Sequence, residues 1–439
     1  MFDDLIQLVH PLMPYLETAF VFLKTWWWVA LPFILWPPLS FLWLWWRRDL
    51  WDAKQKKIFL ESKIPEESLK PIRAMEAVLA GFWQLYSPPN WHEKWWQGQF
   101  QLGFSFEIVS IDGKSHFIIR LPERYRNIVE SHLYSQYPEA EIFEVPDYVK
   151  NVPQDIPNKD WDLWGTDYVL TRKEDGYPIK TYTDFETERE TEEEKRIDPL
   201  ASLLEGMTKL KEGEQLWVQI VARPILGDPK EGERAWQEEA KKLRDKLARR
   251  KAPAPPKLIL TQIWDLLIHA KPPGQEEKEP EGFPAEMKLT PGERDIVAAI
   301  ERKISKLGFN TNIRYIYLAK RDVYFSGNFR IAMSYFTNFN AANCNGLKPW
   351  GKTITKVKKN WYNWFWFIKR RLYLKKRRLF WHYALRLSPL FPLVGGVYIL
   401  TTEELATIYH FPSRTVAPAP FVPRVEAKKG EAPPTLPVE

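Results

Sequence analysis

Hydrophobic and polar positions along this chain change period several times, and each change marks an element. From Trp26 to Trp46 there is no period at all: WWWVALPFILWPPLSFLWLWW is 21 residues without a charge. That length matches the ~20 residues a helix needs to cross a hydrocarbon core of about 30 Å. The pattern predicts an N-terminal transmembrane helix as a membrane anchor. Its residues are Trp26, Trp27, Trp28, Trp36, Trp43, Trp45 and Trp46, whose indoles suit the lipid–water boundary. Arg47 and Arg48 follow at once, while Asp3, Asp4 and Glu17 precede it with only Lys24, so the bulk of the chain is expected on the cytoplasmic side of an inner membrane. A basic leader and a small-residue cleavage site are missing, which argues against a secretory signal. Pro37-Pro38 interrupts the helical ladder. A helix over 15–36 followed by an interfacial stretch to Trp46, or a re-entrant segment, fits the same letters.

Beyond the anchor, residues 49–70 are charged and helical in pattern and read as a juxtamembrane connector. Pro71 then opens PIRAMEAVLAGFWQLY, apolar at helical spacing. Alternation takes over at 101–110 and 115–121, joined by Asp112-Gly113, a hairpin signal. A helical pattern at 122–137 and a strand at 140–145 follow. Strands are expected again at 166–171, 215–222 and 312–319. Helices are expected at 199–211, 235–250, 291–307 and 325–336. The polar, Pro/Gly-rich stretch at 272–286 reads as a loop. The fold class is therefore α+β: an N-terminal transmembrane helix, then two ferredoxin-like or related sandwich modules, a basic aromatic helical segment and an extended Pro-rich tail. The expected divisions are 1–48, 49–70, 71–152, 153–345, 346–390, 391–412 and 413–439.

Charge changes this picture in one place. The net charge of +7 is mild, yet no Asp or Glu occurs between Val323 and Thr402, where 14 Lys and Arg stand. Within that stretch, Trp361, Trp364 and Trp366 lead into Lys369, Arg370, Arg371, Lys375, Lys376, Arg377 and Arg378. Three partners suit such a mixture. An anionic membrane surface would take rings as wedges and cations against lipid phosphates. A nucleic acid would use the same cations on its backbone and the rings for stacking. An acidic protein partner would need the charge alone.

Candidate chemistry is thin. Gly346 to Thr353 spells the letters of a phosphate-binding loop, with Lys352 in the lysine position. However, the preceding TNFNAANCN makes a poor strand, Pro349 removes an amide donor, and no acid follows until Glu403. The seven His are scattered without zinc-ligand spacing. The single cysteine, Cys344, excludes an internal disulfide. The acidic run 184–194 lacks the glycine and spacing of a calcium loop. Neither a catalytic residue nor a metal or cofactor is expected.

Near the C-terminus, Thr401 and Glu404 have capping-box spacing in TTEELATIYHFP. A basic, proline-rich run to APPTLP follows. Together with PIRAMEAVLAG at Pro71–Gly81, these motifs resemble the membrane-anchored region of DNA-translocating ATPases of the type IV secretion and conjugation kind, as found in small-genome bacteria. The resemblance spans most of the chain and implies an anchored platform ahead of a motor. The motor's own motifs do not occur here, so none of its catalytic residues can be carried over. The resemblance implies a non-enzymatic structural subunit, forming a homo-oligomer and serving a separate ATPase. A membrane-tethered nucleic-acid-binding module is the alternative, and a weak NTPase using Gly346–Thr353 a third.

Overall fold

The computed structural model describes residues 13–63, 70–185, 198–226, 235–249, 289–357, 367–391 and 395–412. The Pro/Gly-rich stretch at 272–286, Trp361, Trp364, Trp366 and the Pro-rich tail lie outside these residues. The chain divides into two units: residues 1–56 with 87–101, and residues 57–86 with 102–439.

In the first unit one helix, α1 (Met13–Lys54), runs 42 residues straight through Pro32, Pro37 and Pro38. The break expected at Pro37-Pro38 is absent. The cost is local: Phe33 and Ile34 carbonyls lack the donors that Pro37 and Pro38 would have supplied.

The second unit is α+β around one antiparallel sheet, nine-stranded among the described residues. Its first half runs β1 (Lys57–Lys63), α2 (Ile72–Trp83), β2 (Phe104–Ile111), β3 (Lys114–Pro122), α3 (Arg126–Gln136) and β4 (Glu141–Val145). The spatial order is β4-β1-β3-β2. Asp112 and Gly113 both take positive φ, as the tight turn between β2 and β3 demands. The connector expected at 49–70 is thus corrected. The helix stops at Lys54, and KIFLESK forms β1, which buries Ile58 and Leu60 between β3 and β4. Flanking charges hide this short alternation from a helix-period reading.

The second half repeats the plan. β5 (Trp161–Leu170) leads through α4 (Tyr182–Phe185) and α5 (Ala201–Thr208) to β6 (Glu214–Ile225). α6 (Trp236–Leu247) and α7 (Pro291–Ile304) lie between β6 and β7 (Gly308–Lys320). α8 (Arg330–Thr337) and β8 (Leu347–Pro349) complete it. The order is β8-β5-β7-β6, again first strand beside fourth and third. The halves are not separate modules: β2 pairs with β6 from Phe104–Ala222 to Ile111–Gln215, so one sheet runs across the join.

Alternation gives the sheet two buried faces. On one, Phe104, Phe106, Leu216, Val218, Tyr315 and Tyr317 pack with α2, α3, α5 and α8. After β8 come α9 (Ile368–Ala384), β9 (Tyr398–Thr401) and α10 (Thr402–Ile408). α10 joins the same face and every one of its residues is buried. The Thr401–Glu404 capping box is formed, with Glu404 accepting from the Thr401 amide at 2.8 Å. Lys303 Nζ donates to Glu404 Oε1 at 3.1 Å, both fully buried, and Lys306 reaches Glu76 at 2.6 Å. The TEELATI segment is therefore a core element locked by ion pairs. On the other face, Val109, Trp217, Ile316 and Leu318 pack under Leu379, Phe380 and Tyr383 of α9 and under Tyr148, Val149 and Val152.

Candidate interaction surfaces

Two surfaces stand out, one in each unit. In the first unit the middle of α1, from Pro32 to Leu39, is bare. Four consecutive residues at 100° steps sample a helix's whole circumference, and Phe33, Ile34, Leu35 and Trp36 are all exposed, Phe33 at 77% and Trp36 at 67%. An all-round apolar helix belongs inside a core or a membrane. Trp26 and Trp28 stack at 6.0 Å; the Trp27 side chain is outside the described set. Mean hydropathy gives a different emphasis, because indole and proline lower it. Among the described residues no helix is long and apolar enough to cross a membrane.

Toward its C-terminal end α1 meets a second Trp-rich stretch that sequence reasoning passed over. Trp43 Nε1 donates to the Trp95 carbonyl at 2.8 Å, and its ring meets Trp96 edge-on at 6.1 Å. Arg47 donates to the Trp96 carbonyl and lies 5.8 Å from the Trp43 and Trp46 ring centroids. Trp51 packs on Phe100 at 5.2 Å. The turn Glu93–Gln97 that presents these groups closes on Gly98, whose φ is 75°. A Cβ at Gly98 would run into the Arg47 backbone carbonyl, so only glycine lets the two segments approach. The signal was present in NWHEKWWQ, where Trp91, Trp95 and Trp96 crowd six positions.

In the second unit the basic segment becomes α9. Its ten-residue run of cations and apolar side chains does not act as one patch. Lys376 turns inward to Asp162 at 2.6 Å. Lys375 donates to the carbonyls of Ile354 and Lys356, and burial with the nearby Arg371 lowers its pKa. Both lysines are thus engaged by groups of their own unit. Facing out are Lys369, Arg370, Arg377 and Arg378, and among the described residues none of the four has a carboxylate partner. Leu374 (53% exposed), Trp381 (47%) and Leu385 share that outer surface, at spacings of seven and four that keep them on one side of the helix.

What holds α9 in place is a polar row that crosses the sheet beneath it. Glu107, Gln219, Arg314 and Asp167 are consecutive cross-strand neighbours on β2, β6, β7 and β5, and all are buried. Arg314 Nε donates to Asp167 at 2.9 Å, while its other nitrogens donate to the His382 and Leu387 carbonyls at 2.5 and 2.7 Å. A cation there meets the negative end of the helix dipole. α9 ends on Arg386 in the left-handed region at φ 56°. The Leu387 amide returns to His382 and the Arg386 amide to Tyr383, which is the Schellman pattern. Arg386 also reaches Glu107 at 3.0 and 3.1 Å and Asp147 at 2.8 and 2.9 Å. Burial pushes the Glu107 carboxyl up, but Arg386 outweighs it, with Ser105 and Tyr148 adding hydrogen bonds, and the carboxyl stays below its ordinary range. Tyr148 and Tyr383, sharing a hydroxyl contact of 2.7 Å, are raised well above the usual phenol by burial first and by Glu107 second.

Gly346–Thr353 does not form a phosphate cradle. Leu347–Pro349 is β8, on the Leu170 side of β5. The Gly346, Leu347 and Trp350 amides already donate to Asn345, Asn340 and the Asp167 carbonyl. Lys352 lies 5.4 Å from the Trp350 ring centroid. Burial raises the Cys344 thiol, which disfavours the reactive thiolate. Among the described residues no group of three or more His, Cys, Asp or Glu is placed to hold a metal ion.

The fold and surfaces define a class: an α+β protein with a large antiparallel sheet, carrying a Trp-rich helix exposed along its middle and a basic helix pinned by buried charges. A protein-family model described as "Domain of unknown function (DUF8128)" matches residues 94–345, more than half of the chain. The chain belongs to that family. No curated protein matches it.

Proposed function

We propose that this chain is a membrane-anchored structural platform without catalysis of its own. The observation that carries the reading is the exposure of every α1 side chain from Pro32 to Leu39. Leaving Phe33, Ile34, Leu35, Trp36 and Leu39 in water costs several kcal/mol on the usual scale for apolar burial. The 21 uncharged residues from Trp26 to Trp46 enter the bilayer as a single span. The Trp43–Trp95–Trp96 collar marks the interface, and Arg47 and Arg48 hold the cytoplasmic side. In this reading the sheet is two ferredoxin-like sandwiches fused along β2 and β6, supported by the repeated strand order of its halves. The resemblance of Pro71–Gly81 and Thr401–Pro412 supports a secretion- or conjugation-like machine as the setting, with the chain as a homo-oligomer serving a separate motor ATPase.

Flotation and alkaline carbonate extraction of the expressed full chain test the anchor. Retention in the lipid fraction after carbonate is expected. Release by carbonate would remove the span from the account. Cross-linking from the native membrane tests the partner: recovery of a nucleotide-hydrolysing motor supports the platform, and recovery of only copies of this chain argues against it.

A further inference from the structure

We propose that the outer side of α9 is a second lipid-contacting surface, selective for anionic phospholipid headgroups. This deepens the platform reading and rests on it for its setting, but not for its chemistry. The inner side of the helix is fully committed. Leu379, Phe380 and Tyr383 are buried against the sheet, Lys376 is paired with Asp162, and the C-terminal turn is clamped by Arg314 and Arg386. The helix therefore cannot roll to hide its other side. That side places Leu374, Trp381 and Leu385 in line and sets Arg370, Arg377 and Arg378 among them.

The contacts of those arginines are weak for charged groups. Arg377 donates to the Asp155 carbonyl and the Tyr373 hydroxyl, and Arg378 to the Phe391 carbonyl, at 3.1 to 3.3 Å. Among the described residues each keeps further N–H groups without a partner, open to phosphate oxygens. No acid stands in the sequence from Val323 to Thr402, so α9 itself brings no carboxylate to that side; the nearest acids come from β5 and the segment before it, where Asp162 is taken up by Lys376 and Asp155 lies beside Arg377. The choice of lipid over nucleic acid follows from the apolar members. Leucine has no π-face on which a base can stack, whereas Leu374, Leu385 and the Trp381 ring suit the headgroup–acyl boundary. An interfacial helix normally separates cations from apolar groups. Here the sheet takes the fully buried side, leaving a shallow wedge flanked by charge.

The test uses the full chain with Cys344→Ser, so that a single Leu374→Cys can carry an environment-sensitive fluorophore. Vesicles of phosphatidylcholine alone are compared with vesicles containing 30% phosphatidylglycerol, roughly the charge density of an anionic leaflet. Flotation of the same samples reads the α1 anchor separately, so loss of one result leaves the other interpretable. The label is expected to move to an apolar environment only with phosphatidylglycerol. Arg377→Gln with Arg378→Gln should lower the ratio of docked to undocked label on these vesicles roughly 30-fold, at about a factor of five for each charge near the surface. Both variants are solvent-facing, and unchanged far-UV circular dichroism verifies the fold. Equal response to both vesicles, no response to either, or a response to duplex DNA but not to lipid would each overturn the proposal.

Discussion

Arg386 carries an unusual load for one side chain, and removing it tests the mounting of α9. The substitution Arg386→Met takes away both guanidinium contacts to Glu107 and both to Asp147. Asp147 lies nearer solvent, but Glu107 is fully buried and is left ionised without a counter-charge. Breaking a buried pair by deleting one partner typically costs 3–5 kcal/mol. Glu107 retains Ser105, Tyr148 and Gln219 as donors at 2.6, 2.8 and 3.0 Å, which places the loss at the low end, about 3 kcal/mol. Arg386→Gly loses the same pairs but relieves the left-handed backbone, which is worth about 1 kcal/mol, so it should cost about 2 kcal/mol. Adding Glu107→Gln to Arg386→Met removes the stranded charge and should restore most of the loss. Hydrogen exchange at the Phe380–Tyr383 amides reads these steps directly. A loss of 3 kcal/mol accelerates exchange roughly 150-fold where local opening governs it. Arg386→Met with exchange within threefold of the parent, or a double variant worse than the single, would refute the claim that this pair fastens the helix.

Other expectations follow from the same residues. His382 is lowered to about 4, by burial first and then by Arg314 and Arg378. It is neutral when folded, so its share of stability is present above the ordinary histidine range and is lost as pH falls from about 6.5 toward 4. The loss is at most about 3 kcal/mol. A urea titration at several pH values should show it, and His382→Gln should flatten that limb. His410 acts in the opposite sense. Burial opposes its charge, but Asp198 at 2.9 Å raises its pKa, so its contribution holds at low pH and fades as pH rises through the raised value. Lys303→Met should strand the buried Glu404 and cost about 3–5 kcal/mol, read as a lower denaturant midpoint; a change under 1 kcal/mol would mean that the α10 lock is not electrostatic. Gly98→Val should separate the Trp95–Trp96 turn from Arg47, seen as protease cleavage within 90–100, with the second unit's melting temperature unchanged.

How much of this was legible in the sequence depends on how many faces each element buries. The Asp112-Gly113 hairpin, the β4 strand and the Thr401–Glu404 cap all carry local signals, and each stands close to where alternation or capping chemistry placed it. β1 was hidden because seven residues with lysines at both ends satisfy a charged helix equally well. The row Glu107–Gln219–Arg314–Asp167 reads, strand by strand, as the solvated side of a half-buried sheet. Nothing local announces that α9 and residues 148–152 will cover it. The division within the basic cluster was hidden for the same reason: letters do not say which lysines turn inward, and Lys375 and Lys376 do. The collar around Trp43 needed a partner about fifty residues away, which no window of sequence brings together.

The central claim is that α1 resides in a bilayer, and site-directed accessibility tests it most directly. In a Cys344→Ser background, single cysteines replace Ser40 in the apolar stretch and Gln55 just beyond the helix, in cells and in inside-out vesicles. The account predicts that Ser40→Cys resists a membrane-impermeant thiol reagent in both preparations, while Gln55→Cys reacts only in inside-out vesicles. Ready labelling of Ser40→Cys from either side would contradict it.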